Sequence, residues 1–232
     1  MMHNRTYSPC PSSRETVGGA CYLVFQLFFL PSFLFWANAQ VQTPVNDAEL
    51  NFLFYLVNFI AILLIFHDFL ARSLSQLLQH PIDALQAAVL GFVAYYCCFY
   101  AIDWLVSLVF PRFTNYNDES IAALSQGNYF LTFIGTVILV PPVEECLFRG
   151  LIFRNLYKKS HWAAYSISIV AFACIHILGY IGTYSALELL IAVLQYLPAG
   201  LWLAWSYIKG DTVFVPIAIH AAVNFITIRG ML

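Results

Sequence analysis

Apolar residues occur along this chain in long, nearly uninterrupted runs separated by short polar stretches. A helix that crosses a lipid bilayer needs about 20 mostly apolar residues. The pattern therefore predicts an all-α, polytopic transmembrane helical bundle of about seven spans. The predicted spans lie approximately at 20–38, 50–71, 85–110, 128–156, 162–180, 184–207 and 212–228. Two polar stretches rich in Asn, Asp, Pro and Ser, 39–49 and 111–127, are predicted as loops.

The fourth run differs from the others because Pro141 and Pro142 lie inside it. A proline within a helix removes a backbone donor, so this pair predicts a kink or a break. Glu144 and Glu145 follow directly. Ionisable side chains at membrane depth are costly and are usually retained for pairing, transport or chemistry.

The first run permits two interpretations. Arg5 and Arg14 precede apolar residues, and Ala37-Asn38-Ala39 follows them, an arrangement that resembles a signal peptide within residues 1–39. The same residues also fit a first spanning helix. Either interpretation leaves the topology of the later spans unchanged.

Composition excludes several classes of protein. Of the 232 residues 61% are hydrophobic and only 9% are charged, whereas soluble domains carry about 25% charged residues. The net charge of −2 offers no basic patch, so no nucleic-acid partner is expected. The six cysteines form no CxxC pair, which argues against both a disulfide framework and a cysteine metal site.

The distribution of basic residues predicts an orientation. Eight of the ten Lys and Arg residues fall in the N-terminal tail and in alternate connections after it, namely Arg5, Arg14, Arg72, Arg149, Arg154, Lys158, Lys159 and Lys209. Basic residues favour the cytoplasmic side of a membrane. The N-terminus is therefore predicted to be cytoplasmic and the C-terminus to lie on the other side.

The two adjacent glutamates are predicted to have different roles. Neighbours on a helix point about 100° apart, so Glu144 and Glu145 do not face one point together. Glu145 and Arg149 stand at positions i and i+4, with the acid first, which favours an ion pair. Glu145 is thus expected to be paired, and Glu144 to face a cavity.

Three further polar residues lie in later apolar runs. His176 is in the fifth run, and His220 and Asn224 share a helical face of the last one. Helical rise gives them depths compatible with one site that includes Glu144. A desolvated carboxylate suits a general base, and imidazole and amide groups suit an oxyanion. The same chemistry permits a divalent metal such as zinc, held by Glu144, His176 and His220, so both possibilities stay open.

The motifs Glu144-Glu145-x-x-x-Arg149, Phe172-x-x-x-His176 and His220-x-x-x-Asn224 resemble, in this order, those of the CPBP family. These are the CAAX proteases and bacteriocin-processing enzymes, also known as Abi proteins or type II CAAX prenyl endopeptidases. The resemblance covers roughly 85–228. It implies a protease core over 85–232, preceded by a tail and two spans over 1–84.

By this resemblance, the protein is an intramembrane endopeptidase of a membrane-associated peptide or lipidated protein. Glu144 and His176 would activate water, His220 and Asn224 would stabilise the oxyanion, and Glu145 and Arg149 would support the site. The family has been described both as metalloproteases and as glutamate-based enzymes that need no cofactor. Its bacterial members imply a multi-pass protein of a bacterial cell membrane, in contact with the lipid bilayer. The sequence indicates neither the substrate nor the oligomeric state.

Two other functions compete with proteolysis. A non-catalytic bacteriocin-immunity or membrane-scaffold protein of the same fold would keep the polar residues without cleaving anything. A small transporter would use the carboxylates as cation sites, although the sequence shows no inverted repeat of the kind that many transporters have.

Overall fold

The structure, a computed structural model, describes residues 9–231, which form helices and no β-strand. The α-helices are α1 (Ser13–Phe28), α2 (Leu30–Gln40), α3 (Asp47–Ile65), α4 (His67–Gln79), α5 (Pro81–Val109), α6 (Tyr116–Phe133), α7 (Val140–Glu145), α8 (Arg154–Tyr157), α9 (His161–Ile175), α10 (Ala186–Gly210) and α11 (Phe214–Gly230). The π-helical stretches Ile134–Leu139 and Cys146–Phe153 connect α6, α7 and α8 into one run of helix. A short 3₁₀ turn, Leu178–Tyr180, follows α9.

The predicted all-α membrane bundle is confirmed. Among the described residues, four helices are long and apolar enough to cross a bilayer, and α1 with α2, bent by 49°, makes a fifth candidate. Helices α9 and α11 are apolar but shorter, so the number of seven spans stays a prediction. The orientation also stays a prediction, and Arg5, on which it partly depends, lies outside the described residues.

Two predicted boundaries are wrong. The stretch 111–127 is a loop only at its start, because α6 begins at Tyr116. Asn115 caps the N-terminus of this helix: its side chain accepts a hydrogen bond from the backbone N–H of Asn117 at 3.1 Å. The second predicted span, 50–71, ends earlier at Ile65, and a separate helix, α4, follows.

The prolines do not break the fourth run. Pro141 and Pro142 occupy the first turn of α7, where a missing N–H matters least. The backbone N–H of Val140 bonds to the carbonyl of Gly135, five residues earlier, so a wider turn precedes the prolines. The one residue with non-helical angles inside α6 is Asn128, at φ −159° and ψ 94°. The kink therefore lies at the start of the predicted span rather than beside the glutamates.

Helix α10 packs against α5, α9 and α11 and organises the part of the bundle that holds the polar motifs. A Cβ atom at Gly200 would lie 3.0 Å from the Cα of Ile169, so the glycine permits the close approach of α10 to α9. Within a bilayer such packing, rather than the hydrophobic effect, holds helices together. The buried core of the bundle includes Phe66, Phe69, Leu147, Phe148, Phe153, Phe172, Leu203 and Tyr207.

The outer faces of the helices are apolar. Large apolar side chains that are more than half exposed include Phe28, Phe35, Trp36, Leu64, Leu90, Trp104 and Phe130. A soluble monomer rarely exposes so much apolar surface, whereas a surface in contact with lipid requires it. Together with the spans, these faces indicate a multi-pass membrane protein.

Candidate active site

The two glutamates lie at the end of α7, in the middle of the continuous helical run. Glu145 is fully buried, whereas the Glu144 side chain keeps 20% of its surface exposed, toward a cavity. The helix therefore turns one carboxylate into the protein and the other toward open space. This is the division that the spacing of the motif predicted.

Glu145 is held by two partners from different parts of the chain. One carboxylate oxygen, Oε2, lies 3.0 Å from Nε of Arg149, an ion pair whose angle falls outside hydrogen-bond geometry. The other, Oε1, accepts a hydrogen bond from Nδ1 of His220 at 2.8 Å. The hydrogen bond to His220 was not predicted, because the residue spacing within α7 does not indicate which residues of α11 lie beside it.

Arg149 is fully buried and is held on three sides. Besides Glu145, its Nη2 donates to the carbonyl of Ala199 at 3.1 Å. Its guanidinium carbon lies 4.1 Å from the centre of the Phe172 ring, within the range of a cation–π contact. One arginine thus joins the helical run of the glutamates to α9 and α10.

Glu144 faces two imidazoles. Its Oε2 lies 3.9 Å from Nε2 of His176 and 4.0 Å from Nε2 of His220. These separations exceed direct hydrogen-bond distances. Glu144 Oε2 is itself buried and has no hydrogen-bond partner among residues 9–231.

His176 lies directly after the last residue of α9, and contacts with α9 and α10 hold its ring in place. Its Nδ1 bonds to the carbonyl of Phe172 at 2.8 Å, so Nδ1 carries the proton that is donated. The ring stacks on Tyr196 of α10 with centroids 4.1 Å apart. Phe172, four residues earlier in the chain, flanks it with ring centroids 4.9 Å apart.

Asn224 completes the arrangement from α11. Its Nδ2 donates to the carbonyl of Thr136 at 2.9 Å, in the π-helical stretch before the prolines. The wider π turns free carbonyls from regular helical bonding, which leaves them available to side chains. One of the two N–H groups of the amide is engaged in this way.

Two cavities meet at Glu144 and His176. The first, about 160 Å³, extends between α5, α6, α10 and α11, and Asn224 and His220 also line it. The second, about 390 Å³, is largely apolar and opens toward α1, α2 and α3, with Leu27, Pro31 and Phe54 in its walls. The carboxylate is therefore accessible from two sides of the bundle.

The six residues predicted for the site converge in the structure. Two other acidic residues within apolar runs do not join the site: Asp103 accepts a hydrogen bond from Gln195 at 3.3 Å, and Glu188 caps the start of α10. Tyr196, which stacks on His176, was missed. Tyr196 and the adjacent Gln195 both carry polar groups within an apolar run, and this pair could have indicated a polar cavity.

Fold and site together define the class, a multi-pass helical membrane protein with a buried site of carboxylate, imidazole and amide groups. Residues 126–226 match the model of the family described as Type II CAAX prenyl endopeptidase Rce1-like. Over this segment the chain is similar to that family, which confirms the resemblance found in the three motifs. The matched segment contains all six residues of the site, and it supports an intramembrane protease of this family.

No curated protein and no solved structure matches the chain.

Proposed function

We propose that the protein is an intramembrane endopeptidase that hydrolyses a peptide bond of a membrane-associated protein or peptide, using a water molecule activated by Glu144. The observation that carries this proposal is the position of Glu144 Oε2. It is buried, has no hydrogen-bond partner among the described residues, and faces both imidazole Nε2 atoms across a cavity. A general base needs this combination of access and proximity.

The spacing of Glu144 and His176 suits a shared water. Because Nδ1 of His176 carries the donated proton, Nε2 of the neutral ring is an acceptor, like the carboxylate. Two acceptors 3.9 Å apart, each about 2.8 Å from a water oxygen, subtend about 90° there, close to the angle between the two O–H bonds. A water bound in this way points a lone pair into the cavity.

Hydrolysis then needs no covalent enzyme intermediate. Glu144 takes one proton of the water while the water oxygen attacks the carbonyl carbon of the peptide. This attack gives a tetrahedral oxyanion. As the C–N bond breaks, the proton passes from Glu144 to the departing amine. The products are a new carboxyl terminus, which contains the water oxygen, and a new amino terminus.

His220 and Asn224 are the donors for the oxyanion. Since Nδ1 of His220 donates to ionised Glu145, its Nε2 donates as well only when the ring carries both protons. Arg149 prevents Glu145 from becoming an isolated buried anion. The second amide N–H of Asn224 supplies a further donor.

The residues fit a zinc ion less well than they fit a water. No group of three or more His, Cys, Asp or Glu among residues 9–231 has the spacing of a metal site. An ion about 2.05 Å from atoms 3.9 Å apart would need an angle of about 145° there, far from the tetrahedral value of about 109°. No step of the mechanism is therefore assigned to a metal.

The proposal is tested with purified protein in proteoliposomes that contain membrane proteins from cells lacking it. We expect new peptide termini with the wild type and with Cys146→Ala, whose thiol is buried and has no role in the mechanism. We expect none with Glu144→Gln, which keeps the size of the side chain but removes the base. Equal cleavage by Glu144→Gln would reject the proposal, and absence of cleavage by both proteins would favour a non-catalytic role.

A further inference from the structure

The cavity of about 160 Å³ extends well beyond the catalytic groups, to the place where α5, α6 and α10 meet. In that part, Asp118 of α6 lines it together with four aromatic rings, those of Tyr95, Tyr96, Phe99 and Tyr196. We call this part the aromatic–acidic subsite. The proposed chemistry uses none of these residues as a reacting group.

Among the residues described, the cavity that contains the aromatic–acidic subsite is lined by carboxylates but by no lysine or arginine. Within the described part of the chain, Glu144 and Asp118 are the acidic residues in the cavity wall. A third carboxylate, that of Asp103, stands directly behind Gln195, which hydrogen-bonds to it. Arg149 does not compensate, since it is fully buried and already paired with Glu145.

Asp118 itself has no partner that would explain its position. Its carboxylate takes part in no hydrogen bond or ion pair with any other residue of 9–231, although the side chain is partly withdrawn from the surface. It lies close enough to the hydroxyl groups of Tyr95 and Tyr196 to interact with them electrostatically. A withdrawn charge is costly unless it is paired, and a cationic ligand would pair it.

The rings suit the same ligand. Tyr95 packs edge-on against Tyr96 at 5.0 Å and stacks on Phe99 at 5.8 Å. Tyr196 is fixed by two contacts, the stack on His176 and the hydrogen bond from its hydroxyl to Oδ1 of Asn115 at 3.1 Å. Faces of aromatic rings attract ammonium and guanidinium groups. A cavity wall that combines aromatic rings with a carboxylate is therefore a suitable environment for a cation.

We propose that the aromatic–acidic subsite binds a lysine or arginine side chain of the substrate, close to the scissile bond. This inference rests on the proposed function, because the subsite is continuous with Glu144 and His176. It specifies the substrate as a membrane-associated polypeptide with a basic residue beside the cleavage point.

The test uses fluorogenic apolar peptides that differ at one position near the scissile bond, which carries Lys, Gln or Glu. We expect the wild type to cleave the Lys peptide about tenfold or more faster in kcat/KM than the Gln peptide, as for a hydrogen bond to a charged group. Asp118→Asn should bring this ratio near one, Asp118→Lys should favour the Glu peptide, and Asp118→Glu should keep part of the preference for Lys. Glu119→Gln is the matched control, because Glu119 is exposed in the same helical turn and does not line the cavity.

A binding measurement separates this inference from the proposed function. In the Glu144→Gln background, n-butylguanidinium should bind more tightly than neutral butyramide, and addition of Asp118→Asn should abolish the difference. This result would support the subsite even if no peptide is cleaved. Equal binding of the two probes, or equal cleavage of the Lys and Gln peptides by the wild type, would overturn the inference and leave the proposed function intact.

Discussion

The ion pair of Glu145 and Arg149 allows a quantitative prediction about stability. Both side chains are fully buried, and the guanidinium also bonds to the carbonyl of Ala199. Arg149→Met removes the charge while it keeps an unbranched stem, so Glu145 becomes a buried anion whose remaining partner is His220. Removal of one partner of a buried pair costs about 3–5 kcal/mol, and we expect a loss of unfolding free energy in this range.

The double variant identifies the cause of that loss. Glu145→Gln alone leaves the guanidinium buried without a counter-charge and should also destabilise strongly. With both substitutions no uncompensated charge remains, so the combined loss should be smaller than the sum by about 1–3 kcal/mol. Arg229→Met is the control, because Arg229 is exposed in the last turn of α11 and should change stability by less than about 0.5 kcal/mol.

Unfolding in mixed micelles with an increasing fraction of SDS, followed by far-UV circular dichroism, measures these differences. If Arg149→Met lowers the free energy of unfolding by less than about 1 kcal/mol, the reasoning is refuted, since Arg149 would then not be needed to compensate the buried charge of Glu145. Additive losses within about 0.5 kcal/mol would show that Glu145 and Arg149 are not coupled.

Three further predictions concern the site and its support. His220→Gln should lower kcat by about 10²–10³-fold with little change in KM, because it removes a donor that acts on the oxyanion, and steady-state kinetics on a cleaved peptide would show this; a change confined to KM would contradict the assigned role. Gly200→Val should lower the free energy of unfolding by about 1–3 kcal/mol, since its Cβ would lie 3.0 Å from the Cα of Ile169, and thermal melting in micelles would measure the loss; an unchanged melting temperature would mean that α9 and α10 separate easily. Incubation with 1,10-phenanthroline followed by its removal should leave the cleavage rate unchanged, whereas a loss that zinc restores would assign the catalytic water to a metal.

The sequence predicted those features of the site that depend on local spacing. Glu145 and Arg149 are four residues apart in one helical run, and this spacing is sufficient to predict their pairing. The same i, i+4 spacing places Phe172 beside His176. The all-α membrane fold follows from the length of the apolar runs. These inferences need no knowledge of how distant segments pack.

The features that failed or were missed depend on tertiary contacts or on backbone alternatives. Pro141 and Pro142 would break an α-helix, but the π turns beside them accommodate the missing donors, and the side chain of Asn224 bonds to a carbonyl in one of them. The bond between His220 and Glu145 spans 75 positions, and no local pattern encodes such a distance. Likewise, Asn115 and Asp118 look like loop residues in the sequence, although they begin a helix whose first turn lines the cavity.

The central claim is that Glu144 activates water for cleavage of a membrane substrate. Quantitative peptidomics of membranes tests it most directly, in cells that contain the wild type, Glu144→Gln or the control Glu188→Gln at equal protein levels; Glu188 lies at the start of α10 and lines neither cavity of the site. We predict that at least one membrane-associated protein accumulates uncleaved with Glu144→Gln, and that its new termini appear with the wild type and with Glu188→Gln. Identical sets of termini in all three samples would contradict the account.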